Sequence, residues 1–442
     1  MNEMVHRRAL LRAGTVAGMA AIAGCSSDGT GPGGENATEA ETETTESDAE
    51  TETETETETP TDDPDRPITG DSIPELQPLD DAMLEYMDDR SIEAGALGVS
   101  YDGEIVLERG YGWADEERGA PVEPDALFRI ASLSKSFTDA AVETLVDDGR
   151  LATDERVSPL LEIEPAGGLG DERIEDITVQ HLLDHEGGWN PSLTGDPMFR
   201  PFDIATELDL EEPPGKREIA RYVLGQPLQF TPGEATVYSN FGYSLLGQVV
   251  EAVAEPDSYH SFLVGEVLEP IDVDDVHLAR THPDDRPERE VWYDDPTRCS
   301  NALELDSADR VRCADGGYRF EALDSAGGLV ASTRALLEFM DAYWLTGEPR
   351  VREGDSSGED PDAGSMNEND GENGTESTDD TEAAGSVGPF FGSLPGTFTV
   401  ATQRGDGVDV VALFNRRYSN PQEIATDLED AIDGISEWPP AE

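Results

Sequence analysis

The sequence predicts an α+β fold: an antiparallel sheet formed by N- and C-terminal strands and flanked by helices, with a mostly helical insertion. Three observations carry this expectation. Two apolar runs, 95–101 and 104–112, are joined by Asp102-Gly103, a pair suited to a tight hairpin because it tolerates positive φ. Near the other end, 397–404 and 408–416 flank Gly405-Asp406-Gly407 in the same manner. The intervening stretch, about 153–300, lacks that alternation and reads as helical or irregular. Strands at both ends with helices between fit one sheet covered by helices.

Taken in order, the globular part is placed at 73–442. It starts near Leu79, where "LDDAMLEYMDDR" has helical spacing ahead of the first hairpin. After the hairpin comes "FRIASLSKSF". Leu133, Phe137, Ala141 and Leu145 recur every four residues, and Gly149 stands where a helix-ending glycine belongs, so the spacing predicts a helix that begins near Ser132. The second hairpin is followed by "PQEIATDLEDAID", a closing helix.

Two stretches cannot bury a core. Residues 26–72 are nearly all Glu, Thr, Ser, Gly and Asp, and 353–386 carry 12 acidic residues and no basic one. The first reads as a disordered acidic linker, the second as a disordered acidic surface loop. That loop ends four residues before Phe390, which predicts that it hangs over the site entrance.

Residues 1–25 read as a targeting segment. The pair Arg7-Arg8 precedes a short apolar run ending in Ile22-Ala23-Gly24-Cys25. This resembles a twin-arginine export signal with a lipobox, which makes Cys25 the lipid-attachment residue. An ordinary cleaved signal with an incidental cysteine is the other reading. Either way the mature protein is expected outside the cell. With the lipid, it sits at the surface on the outer face of the cytoplasmic membrane. Cys299 and Cys313 then share an oxidising compartment, which permits a disulfide, although two inert thiols fit the spacing equally well.

The formal net charge is −69 over 442 residues, with acidic residues spread along the whole chain. Such a field repels phosphate, so nucleic acid is not expected as a partner, and the membrane is met only through the lipid. It suits concentrated salt, where screening makes self-repulsion tolerable. The few His and Cys are scattered, and no metal motif is present.

Only two of the 29 basic residues are lysine, Lys135 and Lys216. In a chain that otherwise uses arginine, Lys135 falls three residues after Ser132, on the same helix face. A serine hydroxyl is a poor nucleophile until a base takes its proton, and a buried lysine can be that base, whereas arginine stays protonated. A helix start also supplies free N–H groups for the oxyanion of an attacked carbonyl.

This S-x-x-K segment resembles the serine beta-lactamase and penicillin-binding superfamily, in its class C-like branch of esterases, D-aminopeptidases and alkaline D-peptidases. "ITVQHLLDHEGGW", "FTPGEATVYSNFGYSLLGQVVE", "GGLVAST" and "GSLPGTFTV" are similar to further segments of that branch, in the same order. The resemblance implies the beta-lactamase/transpeptidase-like fold and an acyl-enzyme mechanism without a cofactor. It makes Ser132 the nucleophile, Lys135 its base and Tyr238 the second proton carrier. Asn240 is a ligand of the acyl part and of Lys135, and His185 is a supporting residue.

The third family motif, K-T-G or H-x-G, is replaced by Phe390, Phe391 and Gly392. No histidine follows His282 and no lysine follows Lys216. The backbone N–H groups of Ser132 and Ser393 remain available as an oxyanion hole. What is lost is the cation that holds a substrate carboxylate. The expected substrate is therefore an uncharged small-molecule ester or amide whose apolar acyl group packs on Phe390 and Phe391. A true beta-lactamase or D-Ala-D-Ala carboxypeptidase would need the missing cation. The alternative that Phe390 raises is a weak or inactive surface binding protein that keeps the pocket without turnover.

Overall fold

In a computed structural model of the protein, residues 66–255, 258–350, 386–418 and 420–439 are described. The signal, Cys25, most of the acidic linker and residues 353–385 of the acidic loop lie outside the described residues.

In chain order, the elements that frame the site begin with β1 (Ile68–Thr69), α1 (Gln77–Arg90), β2 (Ala94–Tyr101) and β3 (Glu104–Gly112). Next come β4 (Phe128–Arg129), α2 (Ser134–Asp147), α3 (Lys216–Leu224) and α4 (Asn240–Ala254). After β5 (Val276–Leu278), β6 (Arg298–Ser300) and β7 (Arg310–Arg312) follow α5 (Asp324–Gly327), β8 (Leu329–Ala331) and α6 (Thr333–Ala342). The chain closes with β9 (Val387–Leu394), β10 (Thr397–Gln403), β11 (Val408–Phe414) and α7 (Pro421–Asp433).

The main sheet has six strands in the order β1-β3-β2-β11-β10-β9. Every neighbouring pair is antiparallel. The N-terminal hairpin meets the C-terminal one along β2 and β11, with Val99 opposite Val410 and Leu97 opposite Ala412. The expected joining of both termini in one antiparallel sheet is what is found. Asp102 and Gly103 both take positive φ at the first turn.

One boundary is corrected. Ile68 and Thr69 fall in the stretch read as linker, yet they pair with Tyr111 and Gly110 and form the edge strand. The sheet therefore begins before residue 73. Thr69 Oγ1 donates to the Val122 carbonyl at 2.5 Å, and Arg109 Nη1 donates to the Gly70 carbonyl. These long-range partners leave no trace in local composition.

The sheet separates two apolar clusters. On one face α1 and α7 cover it, burying Leu79, Met83, Met87, Leu428 and Ile432 beside Phe398 and Phe414. On the other face lie α6 and the helical region, whose core includes Phe137, Leu145, Phe241, Leu246 and Phe339. Such alternation is what period-2 side chains dictate when both faces are covered. The nucleophile helix α2 packs inside this second cluster against α4 and α5. It ends as expected, with Gly149 at φ +68° donating its N–H to the Val146 carbonyl.

Cys299 of β6 and Cys313, the residue after β7, are joined in a disulfide with Cα atoms 4.9 Å apart. Beside it, the fully buried Arg129 of β4 donates to the Ala314 and Arg280 carbonyls and faces Glu290. The segment that leads into Ser132 is thus fixed from the disulfide side. No helix among the described residues is long and apolar enough to cross a membrane.

Candidate active site

The site lies where the starts of α2 and α4 meet the edge strand β9. Ser132 occupies a 3-10 turn, Ala131–Leu133, that runs directly into α2. Ala131 before it holds φ +48°, a conformation that costs energy for a residue with a Cβ. Ser132 itself is half-buried, while Lys135, one turn on, is only 6% exposed.

Tyr238, Ser239 and Asn240 straddle the N-terminus of α4. Ser239 is its N-cap and accepts the Gly242 N–H at 3.1 Å. The cap fixes the turn and so aims the residues on either side of it. Tyr238 Oη and Ser132 Oγ hydrogen-bond at 2.6 Å. Asn240 Oδ1 accepts from Lys135 Nζ at 2.8 Å, and the Ala326 carbonyl of α5 accepts from the same nitrogen. The four residues predicted to do the chemistry are therefore brought together. One detail departs from expectation: Ser132 bonds Tyr238, while Lys135 bonds two carbonyl-type oxygens.

Those bonds bear on what Lys135 can do. A neutral amine has two N–H donors and one lone pair, and Asn240 and Ala326 occupy both donors. Burial pushes Lys135 down to about 7, opposed by the negative charges of Asp196 and Asp139. The same burial raises the Tyr238 phenol above its ordinary range, although its bond to Ser132 works the other way. At neutral pH Tyr238 is thus a proton donor, and Lys135 is the group poised to accept.

His185 supports this constellation. Its ring lies 4.6 Å from that of Tyr238 and 5.0 Å from that of Tyr243. Its Nδ1 accepts the Ser239 N–H at 3.2 Å, and its carbonyl accepts the Val237 N–H. It braces the irregular segment that carries Tyr238 into α4.

β9 closes the site on its third side. A Cβ added at Gly392 would fall 2.1 Å from the Ile130 carbonyl, so only glycine lets the strand come this close to the nucleophile turn. Thr399 Oγ1, directly across from Gly392 on β10, donates to the same Ile130 carbonyl at 3.2 Å. Ser393 follows on the edge strand, where alternate backbone N–H groups have no partner strand.

The expected pocket is corrected at one residue. Adjacent strand residues point to opposite faces, so Phe390 and Phe391 cannot line the same pocket. Phe390 packs against the cluster that holds α2. Phe391 packs on the far face, stacked on Phe398 with centroids 6.1 Å apart, beneath α1 and α7.

Asp196 is a site residue that the sequence reading missed. It caps a 3-10 turn, Pro197–Phe199, and accepts from Asn240 Nδ2 at 2.7 Å. Tyr243, whose hydroxyl donates to Asp139 at 2.9 Å, was missed too. Among the described residues no group of His, Cys, Asp and Glu is placed to hold a metal.

Residues 79–433 of the 442 match the family described as Beta-lactamase. The chain belongs to the beta-lactamase family. Protein flp of Staphylococcus aureus (strain COL) is 26% identical over 220 residues, which are 49% of this chain and 40% of flp. Esterase EstB of Burkholderia gladioli is 33% identical over 183 residues, 40% of this chain and 45% of EstB. The matches thus span less than half the length of these curated relatives. A D-amino acid amidase from Ochrobactrum anthropi SV3, solved with D-phenylalanine, shares the fold with a TM-score of 0.56 at 20% identity. That likeness covers 80% of this chain and 99% of the amidase. The resemblance read from the S-x-x-K segment and from the stretch holding Tyr238 and Asn240, and the expected beta-lactamase-like fold, are both borne out.

Proposed function

We propose that this member of the beta-lactamase family is a serine hydrolase that acts through an acyl-enzyme at Ser132, on an uncharged ester or amide. The observation that carries this reading is the triple arrangement of Ser132, Tyr238 and Lys135. A half-buried hydroxyl bonds a phenol at 2.6 Å, beside an amine that burial leaves ready to accept a proton near neutrality. A binding protein has no use for such an amine.

The steps follow from those groups. The neutral Lys135 amine takes the Ser132 proton as Oγ bonds to the substrate carbonyl carbon, and the carbonyl electrons move onto oxygen. Backbone N–H groups of Ser132 and Ser393 hold that oxyanion; such donors are each worth about 2.7 to 4 kcal/mol. On collapse the bond to the leaving group breaks, and Tyr238 gives that group its proton while Lys135 restores the phenol. Its Nζ lies over the Tyr238 ring, 4.7 Å from the centroid, so the amine and the phenol are neighbours in one buried site. A water then repeats the sequence on the acyl-enzyme, releasing acid and free Ser132.

The substrate class rests on Phe390. It stands where the family carries a cation, and it offers an apolar wall in place of a carboxylate anchor. A small ester or amide with an apolar acyl group suits that wall and is not repelled by the −69 net charge. The same charge supports work at high salt. The segment ending in Cys25 supports export and lipid attachment at the outer face of the cytoplasmic membrane, and Cys25→Ser should release the protein into the medium.

The test is labelling by a fluorophosphonate and turnover of short-chain nitrophenyl esters, in molar KCl, beside Ser132→Ala. Labelling and turnover confined to the native serine support the hydrolase. Neither above the alanine control overturns it.

A further inference from the structure

We propose that Asp196 is a positioning residue that sets both the orientation of the Asn240 amide and the charge state of Lys135. The inference rests on the catalytic reading of Lys135. The geometry is a chain of three side chains from three separate elements. Asp196 Oδ2 accepts from Asn240 Nδ2 at 2.7 Å, and Asn240 Oδ1 accepts from Lys135 Nζ at 2.8 Å. The two ends of one amide are thus each matched, donor to carboxylate and acceptor to amine.

The amide could in principle be turned over, since its two ends have nearly the same shape. Turned, it would aim N–H at the N–H of Lys135 and its carbonyl oxygen at a carboxylate. The contact with the carboxylate would be repulsive, and the contact with Lys135 would either clash or tie up the lone pair of the amine. A carboxylate at 196 excludes that arrangement, because it can only accept. Oδ1 then stays on Lys135, one N–H of the amine stays occupied, and the lone pair stays out of the bond to Asn240.

Asp196 is itself held for the task. Its Oδ1 accepts the Met198 N–H at 2.9 Å as the cap of the Pro197–Phe199 turn. Both oxygens are therefore committed, one to backbone and one to Asn240.

The second effect is electrostatic. The groups facing Lys135 are Asp139 on its own helix, the Tyr238 and Tyr243 rings, Asn240, the Ala326 carbonyl and Asp196. Of these only Asp196 and Asp139 are acids, and Asp196 acts more strongly on the amine; burial raises the Asp196 carboxyl, while its bonds to Asn240 and the Met198 N–H and the nearby Lys135 favour the carboxylate. Asp139 is further engaged by the Tyr243 hydroxyl. Burial alone would hold Lys135 lower still. Asp196 offsets part of that and keeps the amine basic enough to take a proton from Ser132.

The two lysines of this chain allow a test that does not depend on turnover. Protein carrying 13Cε-lysine gives two lysine signals, and Lys216→Arg identifies the one from Lys135. Asp196→Ser keeps a capping oxygen for Met198 but has neither charge nor reach, and Asp196→Asn keeps the reach without the charge. In both, the Lys135 signal should titrate at lower pH by on the order of one unit, the size expected when an opposite charge nearby is lost. The rising limb of ester kcat/KM should move by the same amount. The Lys216 signal should stay in place.

A Lys135 titration unmoved in either folded variant overturns the proposal. A moved titration in a protein that turns over no ester sinks the hydrolase reading and sustains this one. Should one variant not fold, the other carries the test.

Discussion

Ser132 Oγ and Tyr238 Oη lie 2.6 Å apart, and the phenol belongs to the N-terminus of a helix 106 residues further along the chain. A short bond between hydroxyls so distant in sequence means that the starts of α2 and α4 are held as one unit. Removing only the phenol oxygen, in Tyr238→Phe, should leave the packing intact and lower ester kcat by about 100- to 10,000-fold, the usual worth of a positioned proton donor. Stopped assays of kcat beside thermal melts check this. A change under fivefold would deny Tyr238 a catalytic role.

Activity should depend on pH through Lys135. Burial lowers this amine from 10.5 to about 7, and only the neutral form can act as base. So kcat/KM should be low in acid, rise through about pH 7 and level off above it. Lys135→Arg, fixed in its charge, should be inactive at every pH.

Stability should follow the same titration, over a wider pH range. An amine whose folded value lies below its unfolded one binds its proton better in the unfolded chain, so burial costs most below pH 7. That cost fades as pH rises from about 7 toward 10.5. Lys135→Met should therefore melt higher than the native protein at pH 6 and keep a smaller advantage at pH 9, while having no activity. Calorimetry at the two pH values decides it.

The two phenylalanines of β9 should separate cleanly. Phe391→Ala, at a partly buried side chain, should cost about 0.5 to 3 kcal/mol of stability by opening space beside Phe398, and leave KM unchanged. Phe390→Lys should weaken binding of apolar esters and bring measurable turnover of an anionic substrate such as a cephalosporin. Equal effects of both substitutions on KM would contradict the opposite facing of the two side chains.

Gly392→Ala should be the most damaging small change on that strand. The added methyl would meet the Ile130 carbonyl at 2.1 Å and Thr399 Oγ1 at 2.3 Å, so β9 must move away from Ser132. A displacement of about 1 Å commonly costs about 100-fold in rate. Acyl-enzyme formation followed by intact mass would report it directly.

Much of this was legible in the sequence, for identifiable reasons. Asp102-Gly103 and the spacing of Ser132 and Lys135 are local signals, and local signals survive in a string of letters. The parity of Phe390 and Phe391 was equally local and was missed: two neighbours on a strand cannot share a face. Asp196 could not be found this way. It is one of 98 acidic residues, and what distinguishes it is a partner 44 positions away. The same holds for the Ala326 carbonyl, which every residue type possesses. The spacing of Cys299 and Cys313 permitted a disulfide, and only their Cα separation decided it.

The two lysines have a consequence of a different kind. Lys216 is held between Glu251 at 2.7 Å and Asp324 at 2.5 Å, and Asp324 opens the short helix α5 whose Ala326 carbonyl takes Lys135. Neither amine is freely presented to solvent. A protease that cuts only after lysine should therefore find no ready site in the native protein, and on opening it should cut at two places, in α2 and at the start of α3. The rate of that cleavage is a gauge of how often the catalytic core comes apart, supplied by the chain's own avoidance of lysine.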